Sequence, residues 1–339
     1  MSDSTRDIAS VVERSRPIAV GGGVVRLHFL GETAAFVLGE EALVLATKHG
    51  EPHRCDIHGG AVLESAADSE QIITGGDDGK VMSTDAKGRS TLAASDQKRR
   101  WIDHVALAQD GAIVWSAGKQ AFVRASKAAA NDAYKMLEVP STVGGLAFSP
   151  KGFRIAVAHY NGATLWFPNV TGEPERFEWK GSHLAATFSP DGRFLVTAMQ
   201  ESMLHGWRVV DRKDMRMQGY AERVRSLDWS HDGKWLATSG SNQLILWPFQ
   251  AKDGPMGKAP QIMAQTEHQV DVVSCHPKQG LTAVGFADGM VLLVRNDDGA
   301  EILAKRPGDA PVTALAWSQD GTLLAFGTES SEAGVLDLG

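Results

Sequence analysis

A short phrase recurs along this 339-residue chain and limits what it can fold into. It reads Ala-Phe-Ser-Pro-Lys-Gly at 147–152, Thr-Phe-Ser-Pro-Asp-Gly at 187–192, Asp-Trp-Ser-His-Asp-Gly at 228–233 and Ala-Trp-Ser-Gln-Asp-Gly at 316–321. The first three copies follow one another at steps of about 40 residues, the period of a repeat array. Units of an array bury their apolar faces on their neighbours, so one closed domain replaces the two or three that length alone suggests.

Each clear unit opens with an apolar strand ending in an aromatic: Val143–Phe148, His183–Phe188, Val224–Trp229 and Val312–Trp317. The Ser-x-Asp-Gly turn follows, its glycine supplying the left-handed backbone of a tight hairpin. A second apolar strand comes next, as at Phe194–Ala198, Trp235–Ser239 and Leu323–Gly327. The third strand ends in Trp166, Trp207 or Trp247, spaced 41 and 40 residues apart. Second turns such as Asp78-Gly79, Asn161-Gly162 and Asp288-Gly289 are strong hairpin signals. A more polar fourth segment closes the unit, which discourages stray edge pairing.

First strands then start near 24, 60, 102, 143, 183, 224, 270 and 312. This spacing predicts eight units. The last unit runs out after three strands, and Pro17–Val20 is a spare strand before the first. Pairing the two would close a ring and remove its free edges. The expected fold is an all-β, eight-bladed propeller over 17–339, closed by that N-terminal strand, with 1–16 as a flexible tail. Seven blades is the alternative, should residues 24–57 fail to make a full blade.

The Ser-Pro-Asp-Gly turn, the aromatic before it and the terminal tryptophan together resemble the WD40 repeat family. The resemblance spans nearly the whole chain and is strongest at 140–250 and 310–338. It departs from the family in having no Trp-Asp pair after the third strand. The usual Gly-His opening appears at one such place only as Gly219-Tyr220. The family's buried His–Ser/Thr–Asp–Trp network is therefore expected to be incomplete in most blades. Thr238 with Trp247 comes closest to it. The resemblance implies a rigid, non-enzymatic platform for other proteins. The many Ala and Gly residues and the worn repeats are in keeping with a bacterial member.

Net charge is −7, which disfavours nucleic acid as the main ligand. Cys55 and Cys275 are the only cysteines, so a reducing, cytoplasmic setting without disulfides is expected. No apolar run is long enough to cross a bilayer. Phosphate-loop, nucleophile-elbow and His-Glu-x-x-His motifs do not occur.

Two sets of residues stand out. Arg99, Arg100, Trp101, Tyr160, Trp179, Arg223 and His268 fall in the connections between units or the second hairpin turns, on one face near the channel mouth. Trp, Tyr and Arg most often anchor interfaces, so this face is the expected partner site of a propeller that joins a complex as a monomer. His49, His53, Cys55 and His58 lie within ten residues and are zinc-type ligands, so a metal-binding accessory role is the alternative. Without that zinc, no cofactor is expected. A small-molecule hydrolase with a channel site is a third reading. It needs inward carboxylates or histidines, where the inner strands read mostly Val, Leu, Ala and Phe.

Overall fold

The structure is a computed structural model that describes residues 8–126 and 134–339. Antiparallel four-strand meanders follow one another around a ring. Unit one is Val24–Leu30, Thr33–Leu38, Ala42–Ala46 and His53–Asp56. Unit two is Val62–Ala67, Gln71–Gly76, Lys80–Asp85 and Ser90–Ser95, and unit three is Val105–Leu107, Ile113–Ala117, Gln120–Arg124 and Tyr134–Glu138. Unit six is Leu227–Trp229, Trp235–Thr238, Leu244–Pro248 and Gln261–Met263. Unit seven is Val270–Cys275, Leu281–Phe286, Val291–Arg295 and Glu301–Lys305.

Between units three and six the chain makes one six-stranded sheet. Its strand Ile155–Trp166 pairs Gly145–Phe148 through its first part and Glu175–Glu178 through its second. Between those parts the chain reverses at Asn161, whose φ is +68°. The side chain of His159 meets that of Thr164 across the bend at 2.9 Å. The long strand Glu175–Phe188 is then the outermost strand of unit four and the innermost strand of unit five. Its later part pairs Phe194–Met199, which leads to Leu204–Arg208 and Asp214–Met217.

Hydrogen bonding therefore divides the described residues into seven sheets, where the repeat spacing predicts eight separate blades. The expected weak point is not the reason. Residues 24–57 make a complete sheet, and it is units four and five that share a continuous strand.

The recurring phrase builds the first turn of a unit in the same way each time. In three copies the serine hydroxyl donates to the aspartate (Ser189 to Asp191 at 2.7 Å, Ser230 to Asp232 at 2.8 Å, Ser318 to Asp320 at 2.7 Å). The serine oxygen also accepts the N–H five residues on, from Phe194, Trp235 and Leu323. The glycine N–H returns to the serine carbonyl, which needs positive φ: +69° at Gly192, +66° at Gly233 and +80° at Gly321. The Lys151 copy lacks the aspartate, and Ser149 donates to the Lys151 carbonyl instead.

Apolar clusters fill the spaces between neighbouring units. Phe194, Met215 and Met217 of unit five pack on Leu236 and Trp247 of unit six. The seam between the last unit and the first is equally dry, with Val24, Phe36, Ala325 and Val335 all buried.

The closing unit consists of Val312–Trp317, Leu323–Thr328 and Ala333–Asp337, with Ser15–Pro17 as its outer strand. Closure thus uses a strand lying two residues before the expected Pro17–Val20, and only Pro17 belongs to both. Ile18 continues it by donating to the Ala333 carbonyl at 2.9 Å. The tail expected over 1–16 is also corrected in its second half. Ala9–Ser10 lies parallel on Glu301–Lys305, and Val12–Arg14 forms a single 3-10 turn that carries the chain across to unit eight. Polar residues suffice there because the edge of unit seven supplies backbone partners, as in the Val11 N–H to Leu303 carbonyl bond at 2.9 Å.

Candidate functional site

In most units the second hairpin turn bonds to the connection that enters the same unit. Asp77 donates to Ala61, Tyr160 to Ser141, Gln200 to Ser182, Ala287 to Gln269 and Glu329 to Pro311. The connections and second turns therefore share one face, as expected. This face carries the interface candidates, and they are not equivalent.

Trp101 is 60% exposed and Tyr160 52%, far more than is usual for aromatics in a packed sheet protein. Arg99 is exposed, with φ +52°. Arg100 is not a free anchor. Its guanidinium grips Asp96 at 2.6 Å and also reaches the Ala117 carbonyl at 3.1 Å and Gln120 at 2.9 Å. This fastens the connection between units two and three, and Asp96 is held below the usual carboxylate range chiefly by that hydrogen bond. Arg223 is half-buried and bonds Gln200 at 2.9 Å, while exposed His268 lies 3.6 Å from Asp288.

Tyr160 and Trp179 line one groove of about 690 Å³ along unit four, together with Pro140, Asn161, Arg176 and Lys180. Trp179 is held by two neighbours. Its ring stacks on His205 at 4.1 Å and 11°, and the Arg216 guanidinium lies 4.0 Å from its centre. His205 has a fully buried side chain, and neither ring nitrogen has a hydrogen-bond partner. Burial, with His183 and Arg216 nearby, pushes its imidazole down to about 3. His159 in the groove is also held low by burial, although its bond to the Tyr160 carbonyl opposes this.

The four zinc-type residues do not assemble. His58 is buried and satisfied at both nitrogens, by Asp78 at 3.0 Å and Thr74 at 2.9 Å. His49 and His53 are exposed. Cys55 is buried, and burial raises its thiol above the ordinary range. His53 and Cys55 do share a face, since a Cβ on Gly88 would meet both. Among the described residues, no group of three or more His, Cys, Asp or Glu could hold a metal ion. His58 instead belongs to a structural network, a His–Thr–Asp set more complete than the sequence led us to expect. Unit six has its own version: the Tyr220 hydroxyl meets Thr238 at 2.8 Å and accepts the Trp247 indole N–H at 2.6 Å.

Sequence reasoning missed the polarity of the channel wall. Arg26, Arg225, Asp271, Thr313 and Glu329 line a cleft of about 550 Å³. Arg26 is paired with Glu64 at 3.1 Å. Burial raises the Asp271 carboxyl, against the opposing pull of Arg225. The signal was present as single charges between apolar neighbours on first strands, in Val25-Arg26-Leu27 and Val270-Asp271-Val272. A Ser–His contact, His28 Nε2 to Ser65 Oγ at 2.9 Å, is the start of a nucleophile–base pair. Burial holds His28 at about 4, which makes it a weak base, and the contact ties unit one to unit two. No helix among the described residues is long and apolar enough to cross a membrane.

Known proteins match this architecture in sequence and in shape. Residues 213–248 match the family model described as WD domain, G-beta repeat. Residues 273–338 match that of the anaphase-promoting complex subunit 4 WD40 domain. These matches support the WD40 repeat family for this propeller. Periodic tryptophan protein 2 of Saccharomyces cerevisiae is 25% identical over 56% of this chain. The alignment spans only 24% of that longer relative. The crystal structure of the computationally designed Ika8 protein superposes with a TM-score of 0.75, covering 94% of this chain and 98% of that one. At 14% identity that likeness is one of fold alone.

Proposed function

We propose that this WD40 propeller is a non-enzymatic platform that binds a protein or peptide on the face bearing its unit connections and second hairpin turns. The observation that carries this reading is the pairing of exposed aromatics with a groove on that face. Trp101 and Tyr160 are more than half exposed, and Tyr160 and Trp179 flank the groove along unit four. Rigid aromatics on a fixed scaffold gain contact area at little entropic cost, which suits interface anchors. One matching family model is named for a subunit of a larger complex, in keeping with a propeller that joins an assembly.

The test is affinity purification with mass spectrometry, comparing wild type with Trp101→Ala and Tyr160→Ala. Loss of a hot-spot aromatic costs about 2 kcal/mol or more, enough to strip a partner during washing. The expected result is a partner set recovered with wild type and depleted with the variants. An identical set from all three proteins would reject this face.

A further inference from the structure

The groove along unit four has a polarity and a shape that specify its occupant further. Residues 176–180, consecutive on the outermost strand of unit four, all line it. This strand pairs Gly162–Leu165 on its inner side. No strand among the described residues covers its outer side. The same kind of edge is already filled elsewhere in this molecule: on unit seven, Ala9–Ser10 lies parallel along Glu301–Lys305, Ala9 opposite Ile302 and Ser10 opposite Leu303. A short extended segment is therefore what an outer edge of this ring accepts, through main-chain hydrogen bonds.

Charge selects among such segments. Arg176 and Lys180 are exposed, and neither side chain makes an ion pair or hydrogen bond with another described residue. They lie four residues apart on one strand, about 13 Å at the rise of extended chain. Arg216 adds a third cation, stacked on the Trp179 ring. Glu178 stands between the two ends, so acidic groups of a partner are favoured at the ends and not at the centre. Within a chain of net charge −7, Arg176 and Lys180 outnumber Glu178 along this edge, and the neighbouring Glu175 is already paired with Arg212 at 3.1 Å.

We infer that the outer edge of unit four, Arg176–Lys180, docks an extended acidic segment of a partner protein as an added strand. Tyr160 and Trp179 supply the apolar contact. The inference rests on the platform reading above and names its groove and partner class.

The test is fluorescence anisotropy on the full chain with a labelled peptide of about nine residues in which glutamate alternates with valine. Saturable binding is expected, weakened by about tenfold or more in the R176E/K180E variant. A lysine–valine peptide and a backbone N-methylated glutamate peptide are expected not to bind. Both substituted side chains are exposed, so the variant should melt at the wild-type temperature. Undiminished binding by the variant, binding of the lysine peptide, or no saturable binding to wild type would overturn the assignment. So would a concentration-dependent dimer abolished by the same double variant, because the occupant would then be a second copy of this chain. If the peptide fails while Trp101→Ala still strips recovered partners, the groove falls and the platform stands. If the peptide binds while every variant keeps its partner set, the platform reading falls by itself.

Discussion

Units five and six share a threonine and a tryptophan at matching points, Thr197 with Trp207 and Thr238 with Trp247, and differ in what meets the threonine and in the residue two before the tryptophan. In unit six, Tyr220, Thr238 and Trp247 form a closed set of hydrogen bonds. In unit five, His183 meets Thr197 at 2.7 Å and lies 5.7 Å from the Trp207 ring. Two residues before its tryptophan, unit six has Ile245, buried in the seam. Unit five has His205 there, a ring of similar bulk whose two nitrogens have no partner. An unmet buried polar group costs about 1–3 kcal/mol, so unit five gives up stability that unit six keeps. The surrendered position is the one on which Trp179, a wall of the candidate groove, is stacked.

The largest effect should come from opening a closed network. His58→Leu in unit two would leave the Thr74 hydroxyl unpaired and take the imidazole from Asp78, which keeps only Gly59 and Lys80, at an expected cost of about 2–4 kcal/mol in urea unfolding. Tyr220→Phe is smaller. It strips the acceptor from the Trp247 N–H and leaves Thr238 with only the Ile245 carbonyl, about 1–3 kcal/mol by the same measurement. An unchanged unfolding midpoint for both would show that the closed networks do not carry the stability assigned to them.

His205 should respond in the opposite sense. Its folded pKa of about 3 lies below the ordinary imidazole value, so the folded state binds fewer protons than the unfolded chain between those limits. Its contribution is therefore present near neutrality and lost as pH falls, by up to about 1.4 kcal/mol for each pH unit below 6.5. Burial is the main cause, and His183 and Arg216 reinforce it, while the exposed Asp214 lies 3.8 Å from the ring. His205→Ile, the residue unit six uses, should flatten melting temperature against pH between 6.5 and 5. At pH 7 it should add about 1 kcal/mol by removing the unmet nitrogens. A variant that keeps the wild-type pH slope would assign the acid sensitivity to another group. The smallest change is expected from Arg100→Gln, at about 1 kcal/mol or less, because a partly exposed pair with Asp96 is screened by water.

Much of the architecture was legible because its signals are local. Ser189, Asp191 and Gly192 each perform a separate hydrogen-bonding or conformational task within one turn, so their recurrence marks turns wherever they stand. The fusion of units four and five was not legible, because it depends on how Trp179–His183 bends between two neighbours. The site was read in part. Trp101, Tyr160 and Trp179 lie on the expected face, but nothing in Arg99-Arg100-Trp101 tells which arginine Asp96 captures. His58 was grouped with His49 and His53 by proximity in sequence. Its partners Thr74 and Asp78 come from the next two strands, and only the fold brings them together. The charges on the channel wall were visible as residues but not as a wall, since each stands on a different unit.

Ser15–Pro17 completes its sheet by pairing with Ala333–Asp337, from almost the other end of the chain. A ribosome makes the first of these partners long before the second. Every nascent intermediate is therefore an open arc with two raw seams. The apolar side chains of the Val24–Val335 junction stay exposed until the second partner has been made, because contacts this distant in sequence form late and slowly. For this molecule the clasp works as a completeness check: only a chain carrying both of these strands can hide that surface.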